Sequence, residues 1–419
     1  LLVGSRRSLS RHQTLRHAVA WSYDLLSEDE KSLLERCSVF TGGFDLHSAC
    51  AVAESDDEYG VLDRLDALVR KSLLVADRSS GHTRYSMLET IRQFAEDKLV
   101  EGGQADEART RHARYFAGCE AEIMALWDSP RQRDAYTWFD AELANLRTAF
   151  RWAADSGELD SAATITTYAA ILGIMAENYE PIAWAEELIE PARDTNHPRL
   201  AHLYAVAAQC HATGRVGEAV AYLEASQQVS RLRGFDEVPY ELQVSTGIVF
   251  SHAGQSDRWA DVCRRAMAAT PGPHTISQAC LVMALYFMGE GVEAMTASEG
   301  LLASADTATN PMTACFALLA HGLAYHDTDP VAAYDALRQA LTIARGSGNE
   351  QMESAAAATL GIVVPTDRDP SEFLEYLIVA IRHYNDAGNT ANLQNPLAVL
   401  TCLLDTLGHH EGAATISGA

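Results

Sequence analysis

Fifteen histidines and eight cysteines are the side chains of this 419-residue sequence best suited to hold a metal or act as a nucleophile. Their spacing supports neither use. His12 and His17, His197 and His202, and His321 and His326 are each five residues apart, which turns a helix by roughly 140° and splits the rings between faces. No H-E-x-x-H occurs, and His409-His410-Glu411 falls in a turn. Cys37, Cys50, Cys119, Cys210, Cys263, Cys280, Cys315 and Cys402 are scattered without a C-x-x-C, as buried thiols in a reducing compartment are. Neither G-x-x-x-x-G-K-[ST] nor G-x-G-x-x-G is present to cradle phosphate, and there is no G-x-S-x-G elbow. Lysine is confined to Lys31, Lys71 and Lys98. The residues therefore predict no catalytic site, no metal and no cofactor within this stretch.

Binding chemistry is more plausible than catalysis. Tyr204, His211 and His321 are candidates to line a partner groove, the alternative being that they pack between helices. Trp127, Trp138, Trp152, Trp184 and Trp259 are expected in the core, and Glu186-Glu187 on a solvated face.

Charge narrows the partners. Thirty-two basic against 57 acidic side chains give a net charge of −25, which repels phosphate backbones and anionic membranes. Residues 1–103 hold 13 basic and 17 acidic groups, and the remainder 19 and 40. No apolar run approaches the ~18 residues of a membrane helix, and Leu1 to Arg16 lacks the pattern of a secretory signal. A cytoplasmic location with no membrane contact is expected. Because it starts at Leu1, the chain is expected to be a piece of a longer protein, with Ala419 short of the natural terminus.

The elements that must position these side chains begin with a helical period at Leu15, Ala18, Val19, Ser22, Leu25 and Leu26. Ser27-Glu28-Asp29-Glu30 has the form of a capping box and opens a second helix through Leu33, Leu34 and Cys37. Thr41-Gly42-Gly43 breaks it. A third helix is expected from Leu46 to about Val52, and a fourth carrying Val61, Leu62, Leu65, Leu68 and Val69. Strand-like runs at 72–76 and 83–87 flank Ser79-Ser80-Gly81. A closing helix follows from Glu89, with Ile91, Phe94, Ala95 and Leu99 inward. This is the order of a winged helix-turn-helix with a small β-hairpin. Glu54, Asp56, Asp57, Glu58, Asp63 and Asp66 around the candidate recognition helix argue against direct DNA contact by this wing.

From Glu107 onward the sequence reads as helical repeats. Asp329-Pro330 matches Asp369-Pro370, Leu337 matches Leu377, Ala340 matches Ala380, and Gly348-Asn349 matches Gly388-Asn389, all 40 residues apart. Gly214 to Ala219, Gly289 to Ala294 and Gly408 to Ala413 repeat a turn glycine followed by a small residue on the next helix. Gly254 fits less well, because Trp259 stands where a small residue is expected. The predicted fold is mainly α: a winged helix at 1–103, a helical connector at 104–159, and about six units of a tetratricopeptide-like α-solenoid at 160–419.

Several strings are specific enough to carry a resemblance. They are Arg11-His12-Gln13-Thr14-Leu15-Arg16, Ala20-Trp21-Ser22-Tyr23-Asp24-Leu25-Leu26-Ser27, Val39-Phe40-Thr41-Gly42-Gly43-Phe44 and Tyr85-Ser86-Met87-Leu88-Glu89-Thr90-Ile91-Arg92-Gln93-Phe94-Ala95. Together they resemble the winged-helix segment of bacterial STAND (NB-ARC-like) ATPase regulators, including LuxR-type and adenylyl-cyclase-associated members. Leu407-Gly408-His409-His410-Glu411-Gly412-Ala413-Ala414 looks like the close of the repeat domain in the same proteins. The resemblance implies a P-loop ATPase upstream, sometimes preceded by a cyclase, and often a LuxR-type DNA-binding domain downstream. It also implies a winged helix that packs on the nucleotide-binding domain and its ATP or ADP, and repeats that sense an inducer or protein partner. DNA would be met only through the LuxR-type domain. Relatives often carry Met-His-Asp where the wing meets its last helix. Here Met87-Leu88-Glu89 stands there, with Arg92 one turn on, as the expected nucleotide-domain interface; Leu88 has no hydrogen bond to donate. Two rivals remain open: a stand-alone winged-helix DNA-binding regulator, and a protein-binding scaffold without a nucleotide switch.

Overall fold

The computed structural model describes residues 16–79, 82–269, 274–363 and 370–418. Arg11–Leu15, Ser80, Gly81 and Asp369 of the motifs above lie outside them. The chain forms two compact units, one of Leu1–Ala121 with Asp140–Ile165, the other of Glu122–Phe139 with Thr166–Ala419.

In the first unit a helix over 16–24 (α1) leads to α2 (Glu28–Arg36). The capping box forms as the sequence predicts: the Glu30 amide donates to Ser27 Oγ at 3.3 Å and the Ser27 amide to Glu30 Oε2 at 2.8 Å. α3 (Leu46–Ala53) and α4 (Glu58–Arg70) are capped by Asp45 and Asp57. β1 (Val75–Asp77) and β2 (Arg84–Ser86) pair antiparallel, with Ala76 opposite Tyr85. α5 (Glu89–Glu101) and α6 (Ala105–Gly118) follow, and the first unit also includes α8 (Gln132–Ser156) from Asp140 onward; α7 (Glu120–Trp127) from Glu122 and the start of α8 belong to the second unit. Val19, Leu33, Leu34, Val61, Leu65, Leu68, Ile91 and Leu99 are buried, each such side chain contributing about 1.5–3 kcal/mol. Phe40 stacks on Phe44 at 4.9 Å, and Phe44 on Tyr85 at 5.9 Å.

Three details depart from the sequence reading. The first strand starts at Val75, not Ser72, because Ser72 is left-handed (φ 58°) and the Leu73 amide bonds back to Leu68 O at 3.0 Å. Those residues close α4 before any ladder begins. A third extended segment joins the hairpin, with Phe44 and Tyr85 exchanging backbone hydrogen bonds of 2.8 and 2.7 Å. On α1 and the turn after it, Val19 and Leu26 are buried, but Leu25 is 61% and Trp21 68% exposed.

The second unit is a run of antiparallel helix pairs in a solenoid-like arrangement, helices Leu159–Met175 and Glu180–Asp194 leading into it. Further pairs are Leu200–Ala207 with Val216–Val229, Pro311–Tyr325 with Pro330–Ser347, Glu350–Leu360 with Pro370–Ala387, and Thr390–Thr406 with His410–Ser417. Leu337, Leu377, Ala340 and Ala380 are all buried, so the 40-residue period is a period of the core. A Cβ on Gly322 would lie 2.5 Å from Leu337, and one on Gly361 2.4 Å from Leu377; each glycine admits the leucine of the helix that follows. Trp259, out of place by the repeat rule, is accommodated in the same way. A Cβ on Gly247 would stand 2.2 Å from its Cδ1, and its indole N–H donates to Val244 O at 2.6 Å. Trp184 and Trp259 are core residues, while Trp127, Trp138 and Trp152 are half-buried.

Among the described residues no helix is long and apolar enough to cross a membrane.

Candidate functional site

In a winged helix, α4 is the element that would enter a DNA groove. Its exposed positions include Glu58, Tyr59, Asp63 and Arg70, so its outward face presents more carboxylate than cation. Lys71 is committed to Glu30, with Nζ 2.7 Å from both oxygens, and this contact holds the Glu30 carboxyl below its ordinary range despite its burial. Arg70 and Arg78 are the exposed cations of α4 and the wing that form no ion pair among the described residues. A depression of about 460 Å³ beside the α3–α4 turn is lined by Cys50, Ala51, Glu54, Ser55, Asp56 and Glu58. Such a surface repels phosphate.

The wing-to-helix junction gathers the expected interface residues. Leu88 is the N-cap of α5 without a side-chain cap bond, and is 62% exposed. Glu89 receives Arg92 Nη2 at 2.8 Å, Arg92 Nε at 2.9 Å and Gln93 Nε2 at 2.7 Å, and the hydrogen bond from Arg92 lowers its pKa. Arg92 also reaches Glu96 at 3.0 Å and Ser38 O at 3.3 Å. Met87 is half-buried. Leu88 and Glu89 are thus exposed at the start of α5 with the half-buried Arg92 one turn on, and Glu89 is already engaged by its neighbours.

Behind the hairpin lies a junction that sequence reasoning missed. Arg84 pairs with Glu142 and donates to Gly42 O and Ala141 O, both at 3.0 Å. Asn145 is fully buried; its Oδ1 accepts from the amides of Thr41 at 2.9 Å and Gly42 at 3.2 Å. The Thr-Gly-Gly loop is thereby tied to the later part of α8.

The three residues expected in a partner groove pack against different neighbours. Tyr204 is half-exposed beside Tyr222. His211 is buried against His252 at 4.9 Å, and burial brings its pKa down to about 3. His321 is buried against Tyr325 at 4.5 Å, its pKa lowered by burial.

Three buried asparagines form a series instead. Asn310, Asn349 and Asn389 each cap a repeat helix through Oδ1, accepting from the amides of Met312 at 2.8 Å, Met352 at 2.9 Å and Asn392 at 3.1 Å. Each donates with Nδ2 to an earlier part of the same unit: Asp128 Oδ1 at 2.7 Å, Tyr136 Oη at 3.2 Å and Tyr179 Oη at 2.8 Å. The Gly-Asn pair at 40-residue spacing marked two of them; their partners had no signal.

Glu177 is a buried carboxylate of this unit. It is 7% exposed in a left-handed conformation (φ 52°), both carboxylate oxygens are shut off from solvent, and a hydrogen bond from the Ser354 hydroxyl offsets only part of the cost of burial. Burial raises its pKa to about 7, with Glu350 and Glu353 adding to the rise. Among the described residues no group of His, Cys, Asp and Glu could hold a metal ion.

Residues 26–100 match the winged helix-turn-helix domain family. Proteins of Mycobacterium tuberculosis and Mycobacterium bovis named as HTH-type transcriptional regulators are 37% identical over 193 residues, 45% of this chain and 22% of theirs. A second M. tuberculosis protein, named only as uncharacterized, is 42% identical over 107 residues, 25% of this chain and 27% of its own length. The chain therefore spans only about a fifth to a quarter of the relatives it matches. Residues 26–100 are a winged helix-turn-helix domain, and the chain is similar over part of its length to mycobacterial proteins named as transcriptional regulators.

Proposed function

We propose that this chain is the switch and sensor segment of a transcriptional regulator, not an enzyme. The winged helix packs on a nucleotide-binding domain of the same protein through Met87, Leu88, Glu89 and Arg92, and the repeats receive an inducer or a protein partner. Nucleotide exchange and partner binding then bias one equilibrium between closed and open forms. The observation that carries this reading is the wing's surface. α4 presents Glu58 and Asp63, whereas Trp21, Leu25 and Leu88 stand exposed as apolar contacts suited to another protein surface.

The test has two parts. The natural reading frame upstream of Leu1 should encode G-x-x-x-x-G-K-[ST], and Glu89→Ala in that intact protein should change the ADP off-rate. A frame without the motif, or an unchanged off-rate, refutes the nucleotide switch. A DNA-binding wing is the second reading, favoured by the relatives' names and by unpaired Arg70 and Arg78. It requires salt-dependent duplex binding by this chain that Arg70→Ala and Arg78→Ala together weaken.

A further inference from the structure

Exposed apolar side chains scattered singly are ordinary on a protein surface, but a contiguous set with a polar rim marks a place where another molecule sits. The second unit exposes four large apolar side chains where two successive helix pairs turn. Phe287 is 49% exposed, Met288 40%, Val292 75% and Val331 63%. Phe287 and Met288 end helix Thr275–Met288, Val292 opens Gly291–Ala297, and Val331 opens Pro330–Ser347. Two contacts put these turns on one edge. The Tyr286 ring meets His326 edge-on at 5.2 Å, and the Thr328 hydroxyl donates to Met295 Sδ at 3.3 Å.

The rim has one sign. Glu290, Glu293, Asp327 and Asp329 are exposed around the apolar side chains. From Ala266 to Leu337 the sequence holds seven carboxylates and neither lysine nor arginine. Arg264, 3.9 Å from Glu293, is the cationic side chain paired with this rim among the described residues, and His326 Nε2 lies 3.3 Å from Asp327. Like charges gathered on one rim repel one another, and cations brought by a partner relieve that repulsion while large apolar side chains cover the valine and phenylalanine. The same carboxylates turn away nucleic acid and anionic lipid.

We propose that the edge formed by Phe287, Met288, Val292 and Val331 docks a basic amphipathic helix of a partner protein, two or more large apolar side chains flanked by lysine or arginine. The proposal deepens the partner-binding role given above to the repeats and rests on it for its biological purpose. The docking itself is read from the surface.

The probe is a fluorescein-labelled 18-residue helix of leucine and lysine, with leucine at i, i+3, i+4 and i+7, set against the same helix with glutamate for lysine, both titrated into the whole chain. The lysine helix should bind, weaken at least tenfold between 50 and 500 mM salt, and weaken at least tenfold in the Phe287→Ser, Val292→Asp double variant. Both changes are at exposed positions and should leave the helical circular dichroism unchanged. Glu290→Lys with Asp327→Lys should transfer the preference to the glutamate helix. Equal binding of the two helices to the unaltered chain, or undiminished binding of the lysine helix by the double variant, overturns the proposal. Failure of the sensor reading shows differently: the helix binds and the variants release it, but the intact regulator responds to its inducer unchanged.

Discussion

Arg84, on the second strand of the wing, and Glu142, on α8, form an ion pair in which the carboxylate is buried. The same guanidinium caps carbonyls of Gly42 and Ala141, and Glu142 also accepts from Asn145 Nδ2 at 2.6 Å. One side chain thus fixes both the wing and the Thr-Gly-Gly loop. Glu142→Ala should cost about 3 kcal/mol, because it leaves the guanidinium with a lost charge partner in a partly desolvated place. Replacing both residues, Arg84→Met with Glu142→Leu, should cost less than Glu142→Ala alone. Urea unfolding of the three proteins checks the order; equal losses would show that the pair is not coupled.

The asparagine series predicts additive capping and buried hydrogen-bond losses. Asn389→Ala removes a cap and strands the Tyr179 hydroxyl, and should cost about 2 kcal/mol. A cycle with Tyr179→Phe should return a coupling of about 1 kcal/mol. Independent effects would deny that the two side chains hold each other.

Gly247→Ala tests the accommodation of Trp259. A methyl group 2.2 Å from the indole forces a helix or the ring to move, at a cost of about 1–3 kcal/mol for overpacking. Trp259→Leu in the same chain should recover part of that loss in thermal unfolding, although it is itself destabilising in the parent.

Much of this was readable beforehand, and the division follows locality. Ser27 and Glu30 are three residues apart and signal their own capping box; Gly348-Asn349 and Gly388-Asn389 repeat in sequence and in space. Arg84 and Glu142, or Asn389 and Tyr179, are separated by 58 and 210 residues, and no local pattern announces them. Trp259 looked like an exception to the repeat because its compensation, Gly247, lies twelve residues earlier, at the junction of helices Tyr240–Thr246 and Ile248–His252. The groove candidates His211 and His321 were chosen by chemistry, but helix packing decides exposure, and both are buried. The acidic turn edge gives only a faint compositional trace until two turns are seen side by side.

Glu177 makes the second unit sensitive to pH in a definite direction. Its folded pKa, about 7, lies above the ordinary 4.5, so the native state favours the protonated acid. The stability it allows is present in full below about pH 4.5 and is lost as pH rises through 7, by about 3 kcal/mol if the unfolded carboxyl titrates normally. Glu350 and Glu353 repel its ionised form, and the Tyr179 and Tyr384 phenols, both raised by burial, stay neutral across that range. Glu177→Gln should flatten the melting temperature between pH 5 and 8 and raise it at pH 8. An unchanged slope would assign the pH dependence to other groups.

Helical repeat arrays commonly behave as one-dimensional chains, each repeat coupled only to its neighbours and free to fray from an end. Asp128, Tyr136 and Tyr179, holding Asn310, Asn349 and Asn389, break that rule, as does the packing of helix Thr390–Thr406 on the turn Ala208–Thr213. The unit is therefore cross-braced, and its unfolding should be all-or-none, with terminal repeats as protected from hydrogen exchange as central ones. The same bracing raises its contact order, so it should fold more slowly than a linear array of equal length.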